Sequence, residues 1–335
     1  MTTLIIPPGY KSRLNLYETQ TAIGQLKRLF EDNLSRALNL KRVSAPLFVE
    51  PHTGLNDDLS GVERPVAFEI KASEQNVQIV HSLAKWKRMA LKKYGFPIGE
   101  GIYTDMNAIR RDDDMDNTHS VYVDQWDWEK VIDSDSRSEG YLRSAVLSIA
   151  NAIYNTAEKL KRWFPALDVE ISRDVKFFTA QELEDMYPDM TPEAREHACT
   201  KEYGTVFIMQ IGGMLKSGEP HGSRAPDYDD WTLNGDLLYW SKVLNAAVEL
   251  SSMGIRVDAS ALDRQLNAAD CNHRRALTYH KMLLEGKLPL TIGGGIGQSR
   301  LSMLLLQKAH VGEVQVSVWD EDTLAGCAVA GVELL

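Results

Sequence analysis

The chain has 335 residues, with 37 Lys+Arg against 47 Asp+Glu and a formal net charge of −10. Hydrophobic residues make up 44 % and charged residues 25 %, ordinary globular usage that excludes a disordered or fibrous chain and allows one large domain or two smaller ones. The acidic balance argues against a non-specific nucleic-acid binder, although a few Arg can still line one anion pocket.

No stretch reaches 18 consecutive apolar residues, and the N-terminus has neither a basic start nor a long apolar core. A cytoplasmic protein with no membrane span and no secretory signal is expected. Cys199, Cys271 and Cys327 form no close pair, which speaks against a CxxC metal site and a disulfide framework. Position 2 is Thr2, so the sequence lacks an N-terminal cysteine nucleophile of the kind that releases ammonia from glutamine.

Residues 17–38 carry Ile23, Leu26, Phe30, Leu34 and Leu38 at a spacing of three or four, which predicts an amphipathic helix. Residues 38–49 read as a turn into a strand, with Pro46 at an edge or an end. Residues 77–93 predict a second helix stopped by Gly95. Residues 120–129 alternate: Val121, Val123, Gln125, Asp127 and Glu129 share one strand face, and Tyr122, Asp124, Trp126 and Trp128 the other. Burying an unpaired amide or carboxylate costs about 1–3 kcal/mol. Gln125 and Asp127 therefore either emerge into solvent or enter a polar cavity.

Residues 141–161 predict a helix, and 179–198 a helix–turn–helix broken at Pro188. Residues 205–211 read as a short buried strand, followed by a Gly/Pro-rich loop to Pro226. Residues 237–250 mix strand and helix signals, 270–285 read as a helix, and 301–308 as a short apolar helix. The irregular alternation predicts an α+β fold with a mixed sheet, not a doubly wound parallel one.

Four constellations can carry chemistry. Gly293, Gly294, Gly295 and Gly297, followed by Arg300, do not fit GxGxxG, and no strong strand pattern precedes them. Arg300 at a helix start opposes the macrodipole, so it is either a surface residue at a tight turn or has another role. The run from Arg110 to Ser120 is either a solvated acidic turn or a phosphate clamp built on a guanidinium fork. Arg224, Asp227, Asp229, Asp230 and Asp236 place carboxylates where Mg²⁺ could be held beside phosphates, or form a polar loop. Glu249, Ser251, Ser252 and Arg256 form the fourth group.

In this order the four resemble the signature motifs of class II aminoacyl-tRNA synthetases. Residues 293–300 are similar to the third motif and 110–129 to the second, while the 17–38 helix with Pro46 is similar to the first. The spacing from Ser82 to Lys87 and from Glu249 to Arg256 resembles the subclass that activates aspartate. The words around 81–88, 119–129, 224–231 and 291–300 resemble more closely the ammonia-dependent asparagine synthetase family. The connection 231–236 departs from the longer forms and is expected to shape a rim loop.

The resemblance implies a mostly antiparallel sheet flanked by helices, the class II catalytic-core fold, as one domain over residues 1–335 with no anticodon-binding domain. It implies that ATP activates the side-chain carboxylate of L-aspartate as β-aspartyl-AMP, and that ammonia then displaces AMP. By carry-over, Arg110 holds the α-phosphate and Arg300 the adenine, with Ser252 and Gly295 beside the nucleotide. Asp236 and Glu249 hold Mg²⁺. Asp57 receives the substrate ammonium, Lys87 and Arg224 its carboxylates, and Ser82 and Gln125 fix its orientation. Asp127 and Asp229 receive or steer ammonia, while His81 and His119 organise loops. A homodimer through the N-terminal helix and the Pro46 region is implied, with no nucleic acid and no membrane as partner. The rival readings are an aspartyl- or asparaginyl-tRNA synthetase core and a non-catalytic binder of aspartate or AMP.

Overall fold

A computed structural model describes residues 4–59 and 63–335. In chain order the elements are α1 (Leu16–Leu38), β1 (Leu40–Arg42), β2 (Phe48–Val49), β3 (Ala67–Ile70), β4 (Gln75–Ile79), α2 (Ala84–Tyr94), β5 (Gly101–Ile109) and β6 (Tyr122–Val131). They continue with α3 (Glu139–Trp163), β7 (Lys176–Thr179), α4 (Ala180–Met186), α5 (Pro192–Tyr203), β8 (Thr205–Met209), β9 (Asp229–Ser241) and β10 (Ala246–Arg256). The last are α6 (Ala259–Ala268), α7 (Thr278–Leu284), β11 (Thr291–Gly297), α8 (Gln298–Leu305) and α9 (Glu321–Ala330).

An eight-stranded sheet runs β1-β5-β6-β11-β10-β9-β8-β7 and is parallel only at its two ends, β1 with β5 and β7 with β8. A small sheet orders β2-β4-β3. The α+β expectation holds. The apolar face of α1 (Leu26, Phe30, Leu34) and Val146, Ile149 and Ile153 of α3 pack on Trp126, Trp128, Ile292 and Ile296 of the large sheet. An Asn15–Glu18 capping box starts α1, and Asn39 in the left-handed region (φ 59°) ends it. Among the described residues no helix is long and apolar enough to cross a membrane.

Several boundaries differ from the sequence reading. Helix α2 begins at Ala84, not at residue 77, because 75–79 pair between β2 and β3 as the central strand of the small sheet. Gly95 (φ 69°) does stop it. The ambiguous 237–250 stretch belongs to the β9–β10 hairpin. The 270–285 stretch divides into a 3-10 turn, Asn272–Ala276, and α7, because Leu277 is extended (ψ 152°) between them. Residues 231–236 form no rim loop; they run inside β9. Residues 38–49 give two short strands in different sheets, with Pro46 between them.

Candidate active site

The glycine run is itself part of a strand, β11, hydrogen-bonded on both sides, where the sequence showed no strong strand pattern leading into it. Strand alternation sends Ile292, Gly294 and Ile296 toward the core and Gly293, Gly295 and Gly297 to the opposite face. On that face Gly293 lies opposite Glu129, Gly295 opposite Asp127, and Gly297 opposite Gln125. A Cβ on Gly293 would lie 2.0 Å from Glu129 Oε2, and one on Gly295 would lie 2.4 Å from Gln125 Oε1. The missing side chains are the space that these polar groups occupy. Gln125 and Asp127 therefore enter a polar cavity of about 340 Å³ and do not emerge into solvent.

Charged pairs hold the floor of this cavity. Lys87 Nζ lies 3.1 Å from Asp127 Oδ1 and donates to the Gly294 carbonyl at 3.0 Å. Asp127 Oδ2 accepts the Leu83 N–H at 3.2 Å. Arg256 Nη2 donates to Glu129 Oε2 at 2.8 Å, and its Nη1 donates to Asp229 Oδ1. Burial pushes Glu129 up, but Arg256 and Lys87 beside it hold it below the usual carboxylate range. For Asp229 burial wins over Arg256 and the direction is upward.

The β9–β10 register shifts twice: β10 has an extra residue between Glu249 and Ser251, and β9 has the extra residues between its Asp229 and Asn234, opposite Arg256 and Gly254. The first break lets Glu249 line the same cavity as Ser252, three residues on, while Ser252 and Arg256, four apart, share that face by ordinary alternation. Arg110, from the end of β5, donates to the His81 carbonyl (Nη2, 3.2 Å). Arg300, from α8, donates to the carbonyls of Thr118 (3.2 Å) and Glu249 (3.1 Å). Both guanidiniums are thus held by backbone acceptors at the cavity wall, which also includes Ser82 and Arg224.

Each carboxylate of the 227–236 cluster has a cation. Asp227 meets Lys85, Arg274 and His280; Asp229 meets Arg256; Asp230 meets Arg137; Asp236 meets Arg224. Asp236 stands behind Arg224 and does not line the cavity, and its buried Oδ1 has no hydrogen-bond partner. Burial and the nearby Glu249 carboxylate, against the pull of Arg224, raise its pKa to about 7. Asp57 is buried in the cavity wall with Oδ1 accepting the Leu59 N–H at 3.1 Å, and no Lys or Arg among the described residues forms an ion pair with it. Burial raises its pKa.

His81 and His119 bind loops. His81 Nδ1 lies 3.0 Å from the Asp57 carbonyl, and His119 Nδ1 lies 2.9 Å from Asp116 Oδ1. Sequence reasoning did not single out Glu129, Tyr228 and the trio Asp124, Ser299 and Gln315 as site groups. Asp124 Oδ1 accepts the Ser299 N–H at 3.0 Å and caps α8 from another strand, since Gly297 offers no side chain to do so. The face alternation of β6 could have flagged Glu129; nothing local could have paired residue 124 with 299.

The model of the AsnA family, aspartate-ammonia ligase, matches residues 17–331. An aspartate–ammonia ligase of Clostridium perfringens is 58 % identical over 336 residues, covering both chains in full. One of Lactobacillus johnsonii is 54 % identical over 99 % of this chain and all of its own. Among solved structures, asparaginyl-tRNA synthetase of Entamoeba histolytica superposes with a TM-score of 0.64 at 14 % identity, over 90 % of this chain and 67 % of its own. That of Pyrococcus horikoshii, complexed with asparaginyl-adenylate, gives 0.64 at 14 % over 89 % and 68 %. These structures share the fold, a class II aminoacyl-tRNA synthetase core. With a family model matched over nearly its whole length and full-length relatives at more than half identity, this chain belongs to the aspartate–ammonia ligase family.

Proposed function

We propose that the protein makes L-asparagine from L-aspartate, ammonia and ATP through β-aspartyl-AMP, releasing AMP and pyrophosphate. The observation that carries this reading is one cavity lined by Lys87, Arg110, Arg224, Arg256 and Arg300 in a chain of net charge −10. The names of the full-length relatives support the same reaction. Aspartate and ATP are both anions, and adenylation brings a carboxylate oxygen against the α-phosphorus. Preorganised cations offset that repulsion and stabilise the developing charge, each by about 2–4 kcal/mol on the scale of an oxyanion-hole donor.

In this reading Arg110 holds the α-phosphate and the reacting carboxylate. Arg300 lies on the adenine and contacts phosphate, with Ser252 and Gly295 beside the nucleotide. Asp57, a buried carboxylate without a cation, receives the aspartate ammonium. Lys87 and Arg224 receive its carboxylates, and Ser82 and Gln125 set its orientation. A β-carboxylate oxygen bonds to the α-phosphorus as pyrophosphate leaves. Ammonia then bonds to the carbonyl carbon of the activated β-carboxyl group and AMP leaves with that oxygen, while Asp127 and Asp229 steer ammonium and take its surplus proton.

The donor set fits Mg²⁺. Glu249 on the cavity wall, with Asp236 next behind it carrying a partnerless buried oxygen, would hold an ion that takes its other ligands from water and phosphates. When bound, the ion offsets phosphate charge. The eight-stranded sheet draws on residues 40–297, which supports a single catalytic unit. The likeness of α1 and the Pro46 region to the first class II motif supports a homodimer, which light scattering tests. The net charge supports substrates other than nucleic acid.

The direct test incubates the protein with ATP, Mg²⁺, L-aspartate and ammonium. Asparagine and AMP in equal amounts are expected. ADP in place of AMP, or aspartate-dependent exchange of pyrophosphate that requires tRNA, overturns the reading.

A further inference from the structure

Arg274 lies outside the cavity, in the 3-10 turn before α7. Its Nη1 donates to Asp227 Oδ2 at 3.0 Å, and its Nη2 stands 3.0 Å from Asp58 Oδ2. These carboxylates belong to different walls. Asp58 follows the buried Asp57; Asp227 precedes the cavity-lining Tyr228 and Asp229. The second wall is anchored independently, since Asp227 Oδ2 also accepts Lys85 Nζ at 3.0 Å and lies 2.9 Å from His280 Nε2. The first wall leans on the same helix through backbone. A Cβ at Gly54 (φ +68°) would lie 2.8 Å from Leu277 Cβ and 3.1 Å from His280 Nδ1.

We propose that Arg274 is a positioning residue for aspartate, bridging the Asp57–Asp58 wall to the Asp227–Asp229 wall and fixing their separation. This rests on the aspartate site proposed above. The substrate's ammonium and carboxylates are read by groups on both walls, so their spacing decides the fit. A guanidinium fork holds two carboxylates at a set angle, which a lysine ammonium does less well. A misplacement of about 1 Å can cost up to about a hundredfold. ATP is held by Arg110 and Arg300, on other elements, so its binding is independent of the bridge.

Initial rates of the full chain as a function of aspartate and of ATP test this. Arg274→Gln is expected to raise the KM for aspartate roughly tenfold or more while the KM for ATP stays within about twofold, and Arg274→Lys to recover part of the loss. Asp58→Asn removes one arm of the bridge at a side chain that is 57 % exposed, so folding is safe; a smaller rise of the same kind, about threefold, is expected. If Arg274→Gln does not fold, Asp58→Asn decides. Unchanged aspartate KM, or parallel changes for both substrates, overturns the bridge. Asp57→Asn separates the two claims. If it raises the aspartate KM while Arg274→Gln and Asp58→Asn do not, only the bridge fails. If it leaves the aspartate KM unchanged, the aspartate-site reading itself fails.

Discussion

Lys87 and Asp127 form a buried ion pair at 3.1 Å, with neither side chain more than 3 % exposed. Burial pushes the Lys87 ammonium down, and Asp127 is the first group that pushes back. Removing one partner strands the other charge, which costs about 3–5 kcal/mol, whereas an apolar pair of similar volume is often tolerated. Lys87→Met is therefore expected to lose that much stability in urea unfolding, and Lys87→Met with Asp127→Leu to regain much of it. Both variants should be inactive.

The glycines of β11 give a graded series. Gly293→Ala places a Cβ against Glu129 Oε2 and Arg256 Nη2 (2.7 Å), both locked in a buried network, so a loss of about 1–3 kcal/mol is expected. Gly295→Ala presses on Gln125 and Asp127, at 2.4 and 2.8 Å, and is expected to cut activity more than stability. Gly297→Ala meets only the Arg300 side chain at 3.3 Å and is expected to be the mildest. Thermal unfolding and asparagine formation, measured together, rank the three.

That series marks how far the sequence could be read. The apolar spacing of α1 and the alternation of β6 were legible because each is set by local burial. The glycine run was legible as a motif but not as a strand, since its partners, Glu129, Asp127 and Gln125, lie about 170 residues away in the chain. The carboxylates at 227–236 read as either a Mg²⁺ site or a polar loop, and no spacing announces Lys85, Arg137, Arg224, Arg256, Arg274 and His280, which pair with them across the chain. The extra residue of β10 before Ser251 is equally silent in sequence, although it puts Glu249 on one wall with Ser252 and Arg256.

Stability should respond to His310. Its Nδ1 accepts the Gly312 N–H at 3.0 Å, its Nε2 is buried without a partner, and burial holds its pKa down to about 4. The ordinary value is about 6.5. Between the two the unfolded chain binds the proton and the folded chain does not. The contribution is therefore complete above about 6.5 and is lost as the pH falls toward 4, by up to about 1.4 kcal/mol per unit. Comparison with His310→Gln isolates it from Asp57 and Asp229, whose raised values give the opposite slope. Urea unfolding at several pH values should show the difference between the two proteins shrinking as the pH falls.

Glutamine should not replace ammonium. No cysteine lines the cavity among the described residues, and the buried Cys199 thiol is pushed up to about 12, far from a thiolate nucleophile. Asparagine formation with glutamine as the sole nitrogen source, after ammonium is removed, checks this.

The central claim is that the aspartate carboxylate attacks the α-phosphorus. L-Aspartate labelled with ¹⁸O in its β-carboxylate, turned over with ATP and ammonium, tests it most directly by mass spectrometry of the products. The account predicts one labelled oxygen in the phosphate of AMP and none in pyrophosphate. Label in inorganic phosphate with formation of ADP, or unlabelled AMP beside asparagine, would contradict it.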